Sequence, residues 1–292
     1  MKSIAKATLL IVISACCFGS LTTLTLLSTR DGLTLANVIF WRFALAAMIL
    51  FVVTIRIRRA HRFSRTAVQL VLIGATAQAL ISYLSFKALD FLPVGVLAFL
   101  FYTYPAWVAA ISAVTGREAL TRARLIALLL ATAGIAVMIE TPAVHTFNPT
   151  GIYIALGTAF LYSLYLPLLH AAQKELPPAV STFYLVTGIA ISFLVIGSAT
   201  QQLAVPRSIE IWVYLLLLSI VGTVVAFSTM IAGLRILGPV RTSIISTVEP
   251  FFTALLGALI LAERLTVATM AGGAMIATAV IFLERSSERV DA

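Results

Sequence analysis

Ten predominantly apolar runs, each eighteen to twenty-four residues long and none more than eleven residues from the next, fill this chain from near its first residue to near its last. They cover 6–27, 35–55, 67–88, 93–115, 122–139, 151–171, 178–199, 210–233, 239–261 and 267–284. About 20 residues of α-helix cross a hydrocarbon layer of about 30 Å. In lipid the backbone must satisfy its own polar groups, so runs of this length become helices. Helix breakers fall in the gaps: Asp31-Gly32, Pro93, Gly116, Pro142 with Pro149, the Pro177-Pro178 pair, Pro206 and Gly238-Pro239. Composition decides between lipid and a protein core as the solvent. The chain is 61% hydrophobic and 11% charged, against roughly 25% charge in a soluble domain. That much apolar surface cannot be hidden inside 292 residues. The expected fold is all-α and polytopic, with ten transmembrane helices.

The N-terminus has the outline of a secretory signal, with Lys2 and Lys6 ahead of an apolar stretch and Ile13-Ser14-Ala15-Cys16 resembling a lipoprotein cleavage box. The run continues to Leu27, however, which is long enough to span, and it is read as an uncleaved first span. Cys16 and Cys17 are adjacent, so they form neither a disulfide framework nor a metal-ligand spacing.

Charge sets the expected orientation. An even number of spans puts both ends on one side. On that side lie Lys2, Lys6, Arg56, Arg58, Arg59, Arg62, Arg65, Arg117, Arg122, Arg124, Lys174, Arg235, Arg241, Arg285 and Arg289. Arg30, Lys87, Arg207 and Arg264 lie on the other, fifteen against four. Cytoplasmic loops are the basic ones, so both termini are expected in the cytoplasm of a bacterial inner-membrane protein. The net charge of +9 is thereby spent on orientation, and no nucleic-acid partner is expected.

The chain also repeats itself. A shift of 145 residues sets FLFYTYPAWVAAISAVTGREALTRA (99–123) on IISTVEPFFTALLGALILAERLTVA (244–268). Pro105 meets Pro250, and Glu118, Leu120, Thr121 and Ala123 meet Glu263, Leu265, Thr266 and Ala268. A weaker match at a shift of 143 sets Ser20-Leu21 on Ser163-Leu164 and Phe40-Trp41 on Phe183-Tyr184. Two repeats of five spans are expected, 1–143 and 144–292. Five is odd, so the second repeat is inverted relative to the first. Inverted repeats are a mark of secondary transporters, with the solute near the bilayer midplane between them.

Deep polar residues mark where a solute would sit. Glu249 falls inside an apolar run, where a charge costs roughly 2.5–3.5 kcal/mol on insertion scales, so it should face the bundle interior. Three roles stay open for it: a structural hinge acid, a ligand for a substrate amino group, or a carrier of a coupled proton. Pro250 and Pro105 each leave one carbonyl without its helical donor, that of Ser246 and that of Phe101, and so mark two related kinks. Arg42 lies about 10 Å into the second span by helical rise. It is read as snorkelling to headgroups, with Trp41 as a belt residue, or as having an internal partner or a substrate carboxylate. Glu118 and Glu263 are read as helix-end groups.

These residues resemble a family. Glu249-Pro250, an apolar run and Glu263-Arg264-Leu265-Thr266, with a second copy one repeat earlier, look like the EamA branch of the drug/metabolite transporter superfamily. The first copy departs, with Tyr104 in place of the acid before Pro105, and Gly116-Arg117-Glu118-Ala119-Leu120-Thr121 in place of the usual glycine-glutamate-arginine run. The resemblance covers the whole chain and is nearest to bacterial exporters of aromatic and other amino acids. It implies a basket in which helices 1, 3, 4, 6, 8 and 9 line a central cavity and helices 5 and 10 pack outside. It also implies alternating access by an exporter of amino acids, aromatic or hydrophobic, or of a broader range of drugs and metabolites. On those helices the candidate binding residues are Ser20, Gln78, Ser82, Tyr83, Phe101, Tyr102, Tyr104, Tyr162, Ser163, Tyr165, Phe227, Ser246, Thr247 and Glu249, with Pro105 and Pro250 as hinges.

No cofactor or metal is expected. His61, His145 and His170 are scattered, Asp31, Asp90 and Asp291 lie at ends or loops, and no phosphate loop is present. An intramembrane enzyme is therefore the weaker reading. The partners expected are a small-molecule solute and the bilayer, around a single chain.

Overall fold

Backbone groups in apolar surroundings are satisfied by their own helix, and in the computed structural model all regular secondary structure among the described residues is helical. The described residues are 2–29, 33–58, 64–116, 118, 120–138, 148–173, 175–262 and 265–288. Of the residues named above, Arg30, Asp31, Gly32, Arg59, His61, Arg62, Arg117, Ala119, Pro142, His145, Lys174, Glu263, Arg264, Arg289 and Asp291 lie outside them. The helices are α1 (Lys2–Ser28), α2 (Leu35–Arg58), α3 (Arg65–Ile73), α4 (Ala79–Ala88), α5 (Val94–Phe101), α6 (Tyr104–Val114), α7 (Arg122–Met138), α8 (Pro149–Ala172), α9 (Pro178–Ala199), α10 (Ile209–Ser219), α11 (Ala226–Ser246), α12 (Glu249–Leu261) and α13 (Val267–Glu288).

These thirteen helices make ten spans. Span 3 is α3 and α4 joined by a π-helical segment, Gly74–Gln78, and span 8 is α10 and the first part of α11 joined by another, Ile220–Val225. α11 then breaks at Gly238, whose φ of 76° and ψ of 171° suit glycine, and Pro239 opens span 9. The first span does belong to the bundle. Ala7, Ile11 and Ala15 are buried, and the Ser14 hydroxyl donates to the carbonyl of Ala226 at 2.8 Å.

The proline kinks fall where the lost donors place them. α5 ends at Phe101 and α6 begins at Tyr104; α11 ends at Ser246 and α12 begins at Glu249. Both breaks are short turns, closed by Ala106 N–H on the Thr103 carbonyl and by Phe251 N–H on the Val248 carbonyl.

Packing follows the same duplication. α1 packs on α10, α11 and α12, and its counterpart α8 packs on α3, α4, α5 and α6. The counterparts α2 and α9 pack on each other, as do α7 and α13. The fold is thus two inverted five-helix repeats around a shared centre, with spans 5 and 10 paired at the periphery. Close approach needs small residues: a Cβ on Gly188 would stand 2.1 Å from the Val71 carbonyl oxygen, and one on Gly134 would stand 2.7 Å from that of Gly272.

Candidate functional site

A cavity of about 180 Å³ lies between the repeats, in the half of the bundle away from the termini. Its walls are Phe18 and Leu21 of α1, Arg42 and Phe43 of α2, Phe101 of α5, Tyr162 of α8, Phe227 of α11 and Glu249 of α12. Span 3 completes them with Gln78, Ile81, Ser82, Ser85 and Phe86. Ser85 and Phe86 stand within three residues of the end of α4, so the cavity extends toward that end. A larger groove of about 380 Å³ between α3 and α8 is lined by Gln69, Leu72, Ile73, Leu168, Ala171 and Ala172. Leu72 and Leu168 are about half exposed there, so this groove belongs to the lipid-facing surface. Polarity points to the smaller cavity, which holds both deep charges.

Glu249 reaches the cavity because the Pro250 break makes it the first residue of α12. The Tyr102 side chain lies beside its carboxyl. Tyr104, which takes the place of Glu249 in the first repeat, lies in the same cluster. Its ring meets Tyr162 edge-on at 4.7 Å, and its hydroxyl lies 3.5 Å from the Ser243 carbonyl. Phe101 and Tyr165 pack on Tyr162 at 5.3 and 5.5 Å, so the floor is a continuous aromatic layer. On the opposite wall Phe227 meets Phe18 edge-on at 5.1 Å. Flat rings with few polar tips suit a flat or apolar solute.

Arg42 does not snorkel. Its side chain is 8% exposed and turns inward. Nε donates to the Thr223 hydroxyl at 2.7 Å, Nη2 donates to the Gly222 carbonyl at 2.8 Å, and the guanidinium sits 4.7 Å over the Phe43 ring. Span 2 therefore joins the six helices that the family resemblance assigned to the lining. The signal available in the sequence was the Phe40-Trp41-Arg42-Phe43 run, but the partner was 180 residues away. Among the described residues Arg42 and Glu249 form no ion pair, although each feels the other's charge across the cavity.

Of the sequence candidates, Gln78, Ser82, Phe101, Tyr162, Phe227 and Glu249 line the cavity. Tyr102, Tyr104, Tyr165 and Ser246 stand behind that lining, with Ser246 beside the Tyr104 side chain. The other four sit elsewhere. Tyr83 is 48% exposed on the bundle surface. The hydroxyls of Ser20, Ser163 and Thr247 donate to the carbonyls of Cys17, Phe160 and Ile244 in their own helices. Phe43 and Ser85 line the cavity without having been singled out as site residues. Gln78 lies in the π segment of span 3, and its buried Oε1 has no donor among the described residues, so it can accept from a solute or water.

At the end of the bundle near the termini, Glu118 behaves as the helix-end group expected. Its carboxylate pairs with Arg124 at 3.1 Å and accepts from the Val240 N–H, closing the Gly238 turn. Burial raises its proton affinity above that of an ordinary glutamate, opposed by Arg124 and the Val240 N–H.

The family description of EamA-like transporters matches residues 5–140 and, a second time, 149–285. An uncharacterized transporter of Archaeoglobus fulgidus is 28% identical over 194 residues, which cover 66% of this chain and 67% of that protein. A crystal structure of another protein agrees with a TM-score of 0.79 over 99% of each chain at 20% identity, a likeness of fold.

Proposed function

The chain belongs to the EamA-like transporter family, and on that premise we propose that it is a secondary transporter exporting aromatic or hydrophobic amino acids by alternating access. In this reading the five-helix halves 1–143 and 144–292 rock about the central cavity of a single chain, with no covalent chemistry. The membrane is a bacterial inner membrane and both termini are cytoplasmic. The conformation described here is then open toward the outside.

The observation that carries the substrate reading is Glu249, a half-buried carboxyl lining a small, aromatic-walled cavity. An α-amino group answers the carboxyl and a flat side chain answers the rings. Volume favours this over a broad drug exporter: about 180 Å³ is below the roughly 300–1,000 Å³ of drug-sized sites.

The test is flux in liposomes holding the purified chain, with labelled tryptophan, phenylalanine, threonine and a cationic dye, with and without a pH gradient. Tryptophan and phenylalanine should exchange fastest. Glu249→Gln should insert normally and lose about ten- to a hundredfold of amino-acid flux, the worth of one charged hydrogen bond. Dye flux equal to tryptophan flux, or normal flux through Glu249→Gln, would refute the reading. Dependence on the pH gradient separates proton coupling from facilitated diffusion.

A further inference from the structure

The two π segments carry a pair of matched contacts. In span 3 the N–H of Ala79 donates to the carbonyls of Gly74 and Thr76, passing over that of Ala75. In span 8 the N–H of Ala226 donates to the carbonyls of Val221 and Thr223, passing over that of Gly222. A π turn therefore leaves one carbonyl without its i+4 donor in each repeat. Each is taken by a side chain from the packed, repeat-related helix. Ser192 of α9 donates to Ala75 O at 2.6 Å, and Arg42 of α2 donates to Gly222 O at 2.8 Å.

The two differ in one respect. Ser192 has a single donor, and that donor is used. Arg42 is charged, 92% buried, lines the cavity and has five N–H donors, of which two are engaged by the Gly222 and Thr223 bonds. A buried guanidinium facing a solute cavity is a receptor for a carboxylate, which it can hold bidentately and more strongly than a carbonyl.

We infer that Arg42 is the carboxylate receptor of this site, and that it exchanges its hold on the span 8 π segment for the substrate's carboxylate. The inference rests on the amino-acid reading above and deepens it: the substrate must carry an anionic group as well as a flat one. Binding then has a conformational consequence. Once Arg42 turns to the substrate, the Gly222 carbonyl is free for the Ala226 N–H, and the π turn can migrate along span 8. A ligand shifts an equilibrium only through contacts that differ between the two states, and the Arg42 exchange is such a contact. The span 3 π turn is held by the Ser192 hydroxyl, which does not line the cavity, so the Arg42 exchange acts on span 8 alone.

The test uses the full-length chain in liposomes and four indoles that share a ring: tryptophan, indole-3-propionate, tryptamine and tryptophanamide. Wild type should carry tryptophan roughly tenfold or more faster than the amine and the amide, which differ from it by the carboxylate alone. Arg42→Gln should lose roughly thirtyfold or more of tryptophan and indole-3-propionate flux, while tryptamine flux stays within about threefold, which also reports a folded protein. Thr223→Val removes one of the bonds competing for Arg42 and should lower the KM for tryptophan about threefold without changing the order of the four indoles. A wild type that carries tryptophan but treats tryptamine or the amide equally, a preference for carboxylates that survives Arg42→Gln, or a raised KM in Thr223→Val would overturn the assignment and leave the amino-acid reading standing. A wild type that carries none of the four overturns both.

Discussion

Arg42 and Glu118 are both charged residues near span ends, and burial has treated them differently. Arg42 lies close enough to a span end to reach water, yet it is held inside because a carbonyl without a helical donor waits on span 8. Glu118 stays in its loop and organises the turn at Gly238, where a Cβ would stand 2.7 Å from its Oε1. Since burial raises the proton affinity of Glu118 in the folded state, the folded chain binds that proton more tightly than the unfolded one. The stability this residue contributes should be full below the ordinary glutamate range and should fall as pH rises through the raised folded value. Melting curves in detergent across that interval should show the slope in wild type, and Glu118→Gln should subtract it. An unchanged slope in the variant would show that Glu118 does not titrate there.

Among the elements, the breaks were readable and the π segments were not. Pro105 and Pro250 announce the breaks locally, since a missing N–H acts within its own turn. GATAQ and IVGTVV contain no such signal, and their π geometry depends on what α9 and α2 offer across the interface. The approach of α3 to α9 is equally invisible in one helix alone. Gly188→Ala puts a Cβ 2.1 Å from the Val71 carbonyl oxygen, a backbone atom that cannot rotate away. Overpacking of this kind costs about 1–3 kcal/mol, which should lower the detergent melting temperature by about 3–10 °C. Gly157→Ala, whose Cβ meets nothing within 4 Å, is the matched control and should leave it unchanged. Equal melting temperatures for the two variants would mean that α3 and α9 can separate at little cost.

For the molecule as a whole, the pairing of counterparts, α2 with α9 and α7 with α13, is what a half-turn in the plane of the bilayer requires. The outward-open reading puts the mouth at the end of α4 and a sealed floor around Tyr104, Tyr162 and Tyr165. In a Cys16→Ala, Cys17→Ala background, Ser85→Cys should react with an impermeant maleimide from outside intact cells. Ile244→Cys, fully buried beyond the floor, should not react. Tags on the two tails should both report from the cytoplasm. Labelling of Ser85→Cys from the cytoplasmic side alone, or tails on opposite faces, would contradict this arrangement.

Composition and period, taken from the chain alone, were enough to establish lipid as the solvent, ten spans, a duplication with an odd number of spans per copy, and two proline breaks in register. Each of these depends on residues near one another in sequence or on a count, and neither needs a helix face to be known. The tertiary structure decided the rest. It brought Gln78, Phe101, Tyr162, Phe227 and Glu249 to one cavity, left Tyr83 on the surface, and turned Arg42 inward. Those outcomes turn on rotation about helix axes and on hydrogen bonds between residues 180 positions apart. A uniformly apolar run gives no periodic pattern from which either could be read.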